Sequence, residues 1–253
     1  MANREHLNID YKKHVEYLPS TKKVLKGRLE KRFGEEQGRT LWKKTKRIYE
    51  EFVEELPYTG GSKNFMAHSL YDSIACFAYW EAMPEESRET VPEFTETVAL
   101  VFNGDTSKKK RNIEFLTANN KVLMKVVTGV MRLVFAPMNR KVDSGAWSNA
   151  WRVKINPDKP KEGLQMVLVG CPIVDFAKKH GYMDLMPAMC NPDYGNMPEL
   201  GIHLIRPKTV GMGYGICDYH MVGDHSEFAK LSPVREDEKG FLVNDAPDRM
   251  KGN

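Results

Sequence analysis

The sequence predicts an α+β fold, a helical layer followed by a small, mostly antiparallel sheet. Three observations carry this. Apolar residues of the first half recur at spacings of three, four and seven, the period of amphipathic helices. The second half carries β-branched and aromatic residues at strand spacing, broken by proline- and asparagine-containing turns. No repeat, low-complexity tract or flexible linker separates the halves. One domain is therefore expected over 1–222, helical over about 20–136 and sheet over about 147–222, with 223–253 as a polar tail.

From Ser20 to Leu56 the periodic positions include Val24, Leu25, Leu29 and Phe33, then Leu41, Trp42, Ile48, Tyr49, Phe52 and Val53. Ser20 after Pro19 is the expected N-cap, Gly34 the stop, and Gly38 begins the next helix or sits in its first turn. Pro57-Tyr58-Thr59-Gly60-Gly61 breaks the pattern. A third helix, from about Asn64 to Met83, is apolar nearly all round and so should be central. Two further helices are expected over Pro84–Phe102 and Ile113–Phe135. Trp147–Ile155 and Leu164–Val169 read as a hairpin about the turn Asn156-Pro157-Asp158-Lys159-Pro160. Pro172–His180 reads as a short helix stopped by Gly181. Leu200–Ile205 and Val210–Val222 read as a second hairpin about Arg206-Pro207-Lys208. From Gly223 onward, prolines and charges predict a loosely attached tail.

Composition narrows the function. A chain of 253 residues, 41% hydrophobic and 28% charged, can bury a sizeable core without disulfides or structural metals. The 38 basic and 34 acidic residues are interspersed and leave a net charge of only +4, which sets up no field for nucleic acid or acidic membranes. The densest basic run, Lys108-Lys109-Lys110-Arg111, has no aromatic platform beside it and reads as a solvated face. No uninterrupted apolar stretch approaches the ~18 residues of a membrane span. The N-terminus lacks a signal-peptide core. Cys76, Cys171, Cys190 and Cys217 form no CxxC pair and read as free thiols. A cytoplasmic protein with neither nucleic acid nor membrane as partner is the expectation.

Chemistry-bearing residues concentrate between Cys171 and His220. In Cys217-Asp218-Tyr219-His220-Met221, strand alternation puts Asp218 and His220 on one face and Cys217, Tyr219 and Met221 on the other. Asp218 and His220 are either a proton-handling pair or the wet face of an edge strand. Cys217 is either a nucleophile or a buried, inert thiol. Cys190, in Cys190-Asn191-Pro192-Asp193 at a helix end or turn, is more accessible, and a lowered pKa would make it nucleophilic. His203 shares a face with Ile205. Arg206 points the other way, where its planar fork suits a carboxylate-bearing substrate or a surface ion pair. Gly60-Gly61-Ser62-Lys63-Asn64 precedes a helix, whose free amides suit a carboxylate, or is an ordinary turn. Gly211-Met212-Gly213-Tyr214-Gly215 opens no helix, so it fails as a dinucleotide loop. No cofactor is expected. The one metal arrangement to weigh, Cys190, His203 and Cys217, matches no common zinc spacing.

Leu56-Pro57-Tyr58-Thr59-Gly60-Gly61-Ser62-Lys63-Asn64, followed by an apolar helix, is similar to a segment of the L-2-amino-thiazoline-4-carboxylate hydrolase family. Lys31-Arg32-Phe33-Gly34 and Leu41-Trp42 resemble that family's N-terminal region. Cys171, Cys190 with Asp193, Arg206-Pro207-Lys208-Thr209 and Cys217-Asp218-Tyr219-His220 follow its order. The resemblance spans about residues 25–222. It departs at Tyr219 (usually Phe), at Met221 (usually aromatic) and in the glycine-rich Thr209–Gly215, changes that bear on substrate identity.

The resemblance implies a hydrolase that opens a cyclic amidine of the thiazoline type, giving N-carbamoyl-L-cysteine. Its partner would be a small molecule bearing a carboxylate, and a homo-oligomer is compatible with it. Cys190 or Cys217 would be the nucleophile, with Cys190 preferred because alternation seats Cys217 opposite His220. Asp193 and the Asp218–His220 pair would move protons. Arg206, His203, Asn64 or the Gly60-Gly61 turn would hold substrate. The alternatives are an enzyme on the same scaffold acting on another thiol or heterocycle, and a non-catalytic small-molecule or metal sensor.

Overall fold

The computed structural model describes residues 15–104, 118–195 and 197–245. The basic run at 108–111 and the expected helix start at Ile113 lie outside them, as do the ends of the chain. Helix α1 (Pro19–Phe33) begins with proline in its first turn, so Leu18 rather than Ser20 is the N-cap. Gly34, at φ 80°, ends it, and α2 (Glu35–Glu54) follows directly, with Gly38 in its first turn. A Cβ on Gly38 would stand 2.6 Å from the Glu30 Cα, so glycine there lets the helical hairpin close.

Leu41, Trp42, Ile48, Tyr49, Phe52 and Val53 of α2 are buried. They lie against α3 (Ala67–Ala82), which is buried around most of its circumference and is the central helix its composition demands. Asp72 of α3 accepts from Leu18 N at 3.0 Å and Thr21 Oγ1 at 2.8 Å, tying down the start of α1. The single helix expected over Pro84–Phe102 is a 3₁₀ turn (Glu85–Ser87) and then α4 (Val91–Asn103). The capping box of Thr90 and Glu93 restarts the helix there.

Helix α5 (Lys121–Asp143) is capped by Asn120, whose side chain accepts from Val122 N and Leu123 N. Asn139 fastens it to a strand, donating to Val153 O at 2.6 Å and accepting from Val153 N at 2.9 Å. Among the described residues α5 is one helix long and apolar enough to cross a membrane by length and composition, with 22% of the tested stretch buried. Lys125 and Arg132 interrupt its apolar run, so no unbroken apolar stretch of that length stands in the sequence.

The main sheet joins β1 (Arg152–Ile155), β2 (Leu164–Val169), β3 (Ile202–Ile205) and β4 (Ile216–Gly223) in the order β1-β2-β4-β3, every pair antiparallel. The β1–β2 hairpin turns where expected, with Asn156 and Lys159 at positive φ. Its first strand is shorter than predicted, because Trp147, Ala150 and Trp151 bury their side chains from irregular backbone instead. Strands β3 and β4 are neighbours, but residues 206–215 join them as an extended loop. The expected strand start at Val210 is a turn, with Gly213 N donating to Val210 O at 3.0 Å. Between β2 and β3 run α6 (Pro172–His180), stopped by Gly181 at φ 75°, and α7 (Met186–Cys190), which continues into a 3₁₀ turn over Asn191–Tyr194.

The loosely attached tail is corrected. Helix α8 (Glu227–Leu231) and the two-stranded β5 (Val234–Glu236) and β6 (Leu242–Asn244) fold back onto the molecule. Phe241 and Val243 enter the main core, and Asn244 is buried. Those few anchors decide the outcome against a segment polar on average. The architecture is α+β.

Candidate active site

The register divides the sequence-predicted residues between the two faces of the sheet. Cys217, Tyr219 and Met221 of β4 stand opposite Leu168, Met166 and Leu164 of β2, on the face that packs against the helices. Asp218 and His220 project from the other face. There Asp218 accepts from Gln165 Nε2 at 3.1 Å, and His220 Nε2 lies 2.9 Å from Glu162 O. His203, on that same face, has Nε2 2.7 Å from Ser232 O. The sheet therefore keeps Asp218, His220 and His203 apart from Cys190 and Asp193. The metal trio of Cys190, His203 and Cys217 is divided in the same way. Among the described residues no group of three or more His, Cys, Asp or Glu is placed to hold an ion.

What does converge is Cys190, Asp193, Arg206 and Tyr219. Arg206 follows β3 in alternation, so its side chain turns to the helix-packed face, where it has no exposed surface. Its Nη1 donates to Cys190 O and to Asp193 Oδ2, both at 2.6 Å, and its Nη2 donates to Leu242 O at 3.1 Å. The guanidinium lies 4.8 Å over the Tyr194 ring. Asn244 Oδ1 accepts from Arg206 N at 3.0 Å and from Tyr194 OH at 2.7 Å. Held in this way, Arg206 is a clamp on Asp193 and not an open fork for a substrate carboxylate.

Asp193 receives a second bond on the same oxygen, from Tyr219 OH at 2.9 Å. Both bonds fall on Oδ2, while the side chain as a whole is 38% exposed. Burial raises its carboxyl above the ordinary aspartate value, with Arg206 and the Tyr219 hydroxyl pulling the other way. Burial lowers the Arg206 pKa, but Asp193, Tyr219, Cys190 and Tyr194 together raise it by more, so the guanidinium stays charged.

The thiols are not activated. Burial pushes Cys190 well up against the opposing pull of Arg206, and pushes Cys217 up to about 12 despite its bond from Val210 N. Cys171 is also raised by burial. A pre-formed thiolate, which nucleophilic use of Cys190 or Cys217 would need, is disfavoured at each.

The glycine turn is also not the helix N-terminus expected of it. Gly60 (φ 107°) and Gly61 (φ 55°) lead into a 3₁₀ turn over Gly61–Lys63, and α3 starts only at Ala67. Asn64 staples the loop, donating to Thr59 O at 2.6 Å and accepting from Met66 N at 3.0 Å. Gly60 is pressed on Trp147, where an added Cβ would meet the indole at 2.6 Å. Gly60, Gly61 and Asn64 are buried, so their observed role is to shape this corner.

The family model described as L-2-amino-thiazoline-4-carboxylic acid hydrolase matches residues 63–221, well over half of the chain. The chain belongs to that family. No curated protein and no solved structure gives a match. The family match contains Cys190, Asp193, Arg206 and Tyr219, all four of the converging residues, but leaves out Gly60 and Gly61. Sequence reasoning placed Tyr219 on the right face and gave it no task; its hydroxyl, three positions before a buried valine, carried no local signal. Asn244 lies beyond both the match and the span first read as folded, and nothing in its polar surroundings marked it as the support for Arg206 and Tyr194.

Proposed function

We propose that the chain hydrolyses a small cyclic amidine of the thiazoline type, with Asp193 as the general base. Membership of the hydrolase family supports the reaction class. The arrangement of Asp193 supports the base: Arg206 and Tyr219 both bind Oδ2, which fixes the orientation of a partly exposed side chain and leaves Oδ1 outside those two bonds. An upward-shifted carboxyl is also the stronger base.

In this reading Asp193 takes a proton from water as the water oxygen bonds to the ring carbon flanked by two nitrogens and sulfur; the carbon–nitrogen double bond opens onto the ring nitrogen, which receives that proton. The tetrahedral carbon then expels sulfur. The carbon–sulfur bond breaks as the added hydroxyl becomes the carbonyl, its proton passes to the leaving sulfur, and N-carbamoylcysteine results with one water consumed. Water is preferred over Cys190 as nucleophile because the Cys190 and Cys217 thiols are held protonated by burial. Asp218 and His220 have no step, since they occupy the opposite face of the sheet. Arg206 and Tyr219 are positioning residues.

The test is thiol release from 2-amino-thiazoline-4-carboxylate by the wild type, Asp193→Asn and Cys190→Ser. Loss in the first variant with retention in the second is the expected result. Full turnover by Asp193→Asn would end the reading.

A further inference from the structure

Helix α5 is partnered on one side only. At roughly 100° per residue, Met124, Thr128, Met131, Phe135 and Met138 share the arc turned to the protein. Val122, Val126, Val130, Leu133 and Val134 share the opposite arc, and are 72%, 58%, 52%, 77% and 40% exposed. Between the two arcs, along one edge, stand Lys121, Lys125 and Arg132.

The helix carries five cations from Lys121 to Lys141 and no acidic residue before Asp143, which is already paired with Arg152 at 2.7 Å. The three edge cations also line a cleft of about 860 Å³, with Lys161 on its far side and Glu162 and Glu227 among its other walls. An apolar stripe bordered by a row of cations, beside a cleft whose charged side chains are mostly basic, has the chemistry of a helix lying in the plane of an anionic lipid interface. The long cationic side chains keep their heads at the phosphates while the stripe enters the acyl boundary.

We infer that the α5 face docks this protein peripherally on an anionic membrane surface. Net charge and unbroken apolar length, from which no membrane partner was expected, do not register an apolar stripe on one face of a helix. The helix does not span, since Asn139 and the buried Phe135 and Met138 fix it to β1 and the core.

A second copy of the chain fits this face less well. The stripe, from Val122 to Val134, is about 20 Å long and about 10 Å wide, roughly 200 Å². A stable dimer buries about 800 Å² on each partner. Antiparallel self-pairing would also bring cationic edges together with no acidic partner row on the helix.

The full chain is to be sedimented with phosphatidylcholine vesicles, with and without phosphatidylserine, at low and high salt. Binding is expected to the anionic vesicles alone, and to weaken at least tenfold at high salt. Leu133→Glu and the double variant Lys125→Glu/Arg132→Glu should each lower it at least tenfold, with the thermal midpoint kept near wild type because these side chains are exposed. Failure of the wild type to bind overturns the inference, as does equal binding to neutral vesicles. A wild-type dimer that Leu133→Glu dissociates, without vesicle binding, would assign the face to self-association instead.

Discussion

Arg206 and Asp193 form an ion pair of unequal exposure: Nη1 and Oδ2 are 2.6 Å apart, the guanidinium is wholly covered, and the Asp193 side chain is 38% exposed. The covered cation holds one carboxylate oxygen, and the side chain that carries it stays partly exposed. An aspartate three positions after Cys190 is held in a fixed orientation because the arginine that follows β3 reaches it through the core.

Asp193→Asn should lower turnover at least 100-fold, the scale of a lost general base. The pH profile adds a check on the role. A base works ionised, so activity should rise with pH through the Asp193 pKa, which burial places above the ordinary aspartate value. The acidic limb in kcat/KM should therefore lie higher than for a solvent-exposed carboxylate, and should vanish from any residual activity of Asp193→Asn. An unchanged limb would assign it to another group.

Arg206→Met removes the clamp and empties three bonds, to Cys190 O, Asp193 and Leu242 O. Breaking a buried pair costs about 3–5 kcal/mol. The low end, about 3 kcal/mol, is expected here because the stranded Asp193 remains partly solvated. Urea unfolding measures it. Arg206→Lys should recover part of the stability but little of the turnover, since a point charge cannot reach all three acceptors.

The thiols give a prediction independent of substrate. Cys190 and Cys217 are held protonated by burial, Cys217 with a pKa of about 12. Alkylation of the native protein at neutral pH should be slow and should quicken as pH rises, because the thiolate is the reactive form. Unfolding should release the block. Cys190→Ser should retain turnover within about tenfold, well short of the loss expected for a missing nucleophile.

Gly60 meets two constraints at once, a φ of 107° and the indole of Trp147 where a Cβ would stand. Gly60→Ala should destabilise by about 2 kcal/mol or more, from backbone strain and the displaced ring together. The thermal midpoint reports it. Gly104→Ala is the control for the backbone part, since Gly104 also has positive φ but meets nothing within 4 Å.

Periodicity made much of the fold legible. Gly34 and Gly181 stop helices as read, α3 is central, and alternation in β4 assigned Cys217 and Tyr219 to one face and Asp218 and His220 to the other. The candidate site was less legible because it depends on which face packs against helices and on burial. Alternation shows that Asp218 and His220 share a face, but not that Cys190 and Asp193 approach the other. A residue's type does not disclose that Arg206 is sealed, or that burial suppresses the thiols. The C-terminal segment was misjudged for a related reason: a mean over many charges conceals Phe241, Val243 and Asn244.

Asn244 tests that last point directly. It is 2% exposed, accepts from Arg206 N and Tyr194 OH, and donates to Ser232 O at 2.8 Å. Asn244→Ala leaves the buried Arg206 amide without its acceptor, at about 1–3 kcal/mol, and removes two further bonds worth about 1 kcal/mol each. A loss of about 3–5 kcal/mol is expected, against about 1 kcal/mol for Tyr194→Phe, which deletes only the hydroxyl bond. Were 224–245 merely attached at the surface, both variants would unfold at the wild-type urea midpoint. A large shift for Asn244→Ala alone, with a smaller fall in turnover than Asp193→Asn gives, identifies the segment as the support that seats Arg206 behind the carboxylate.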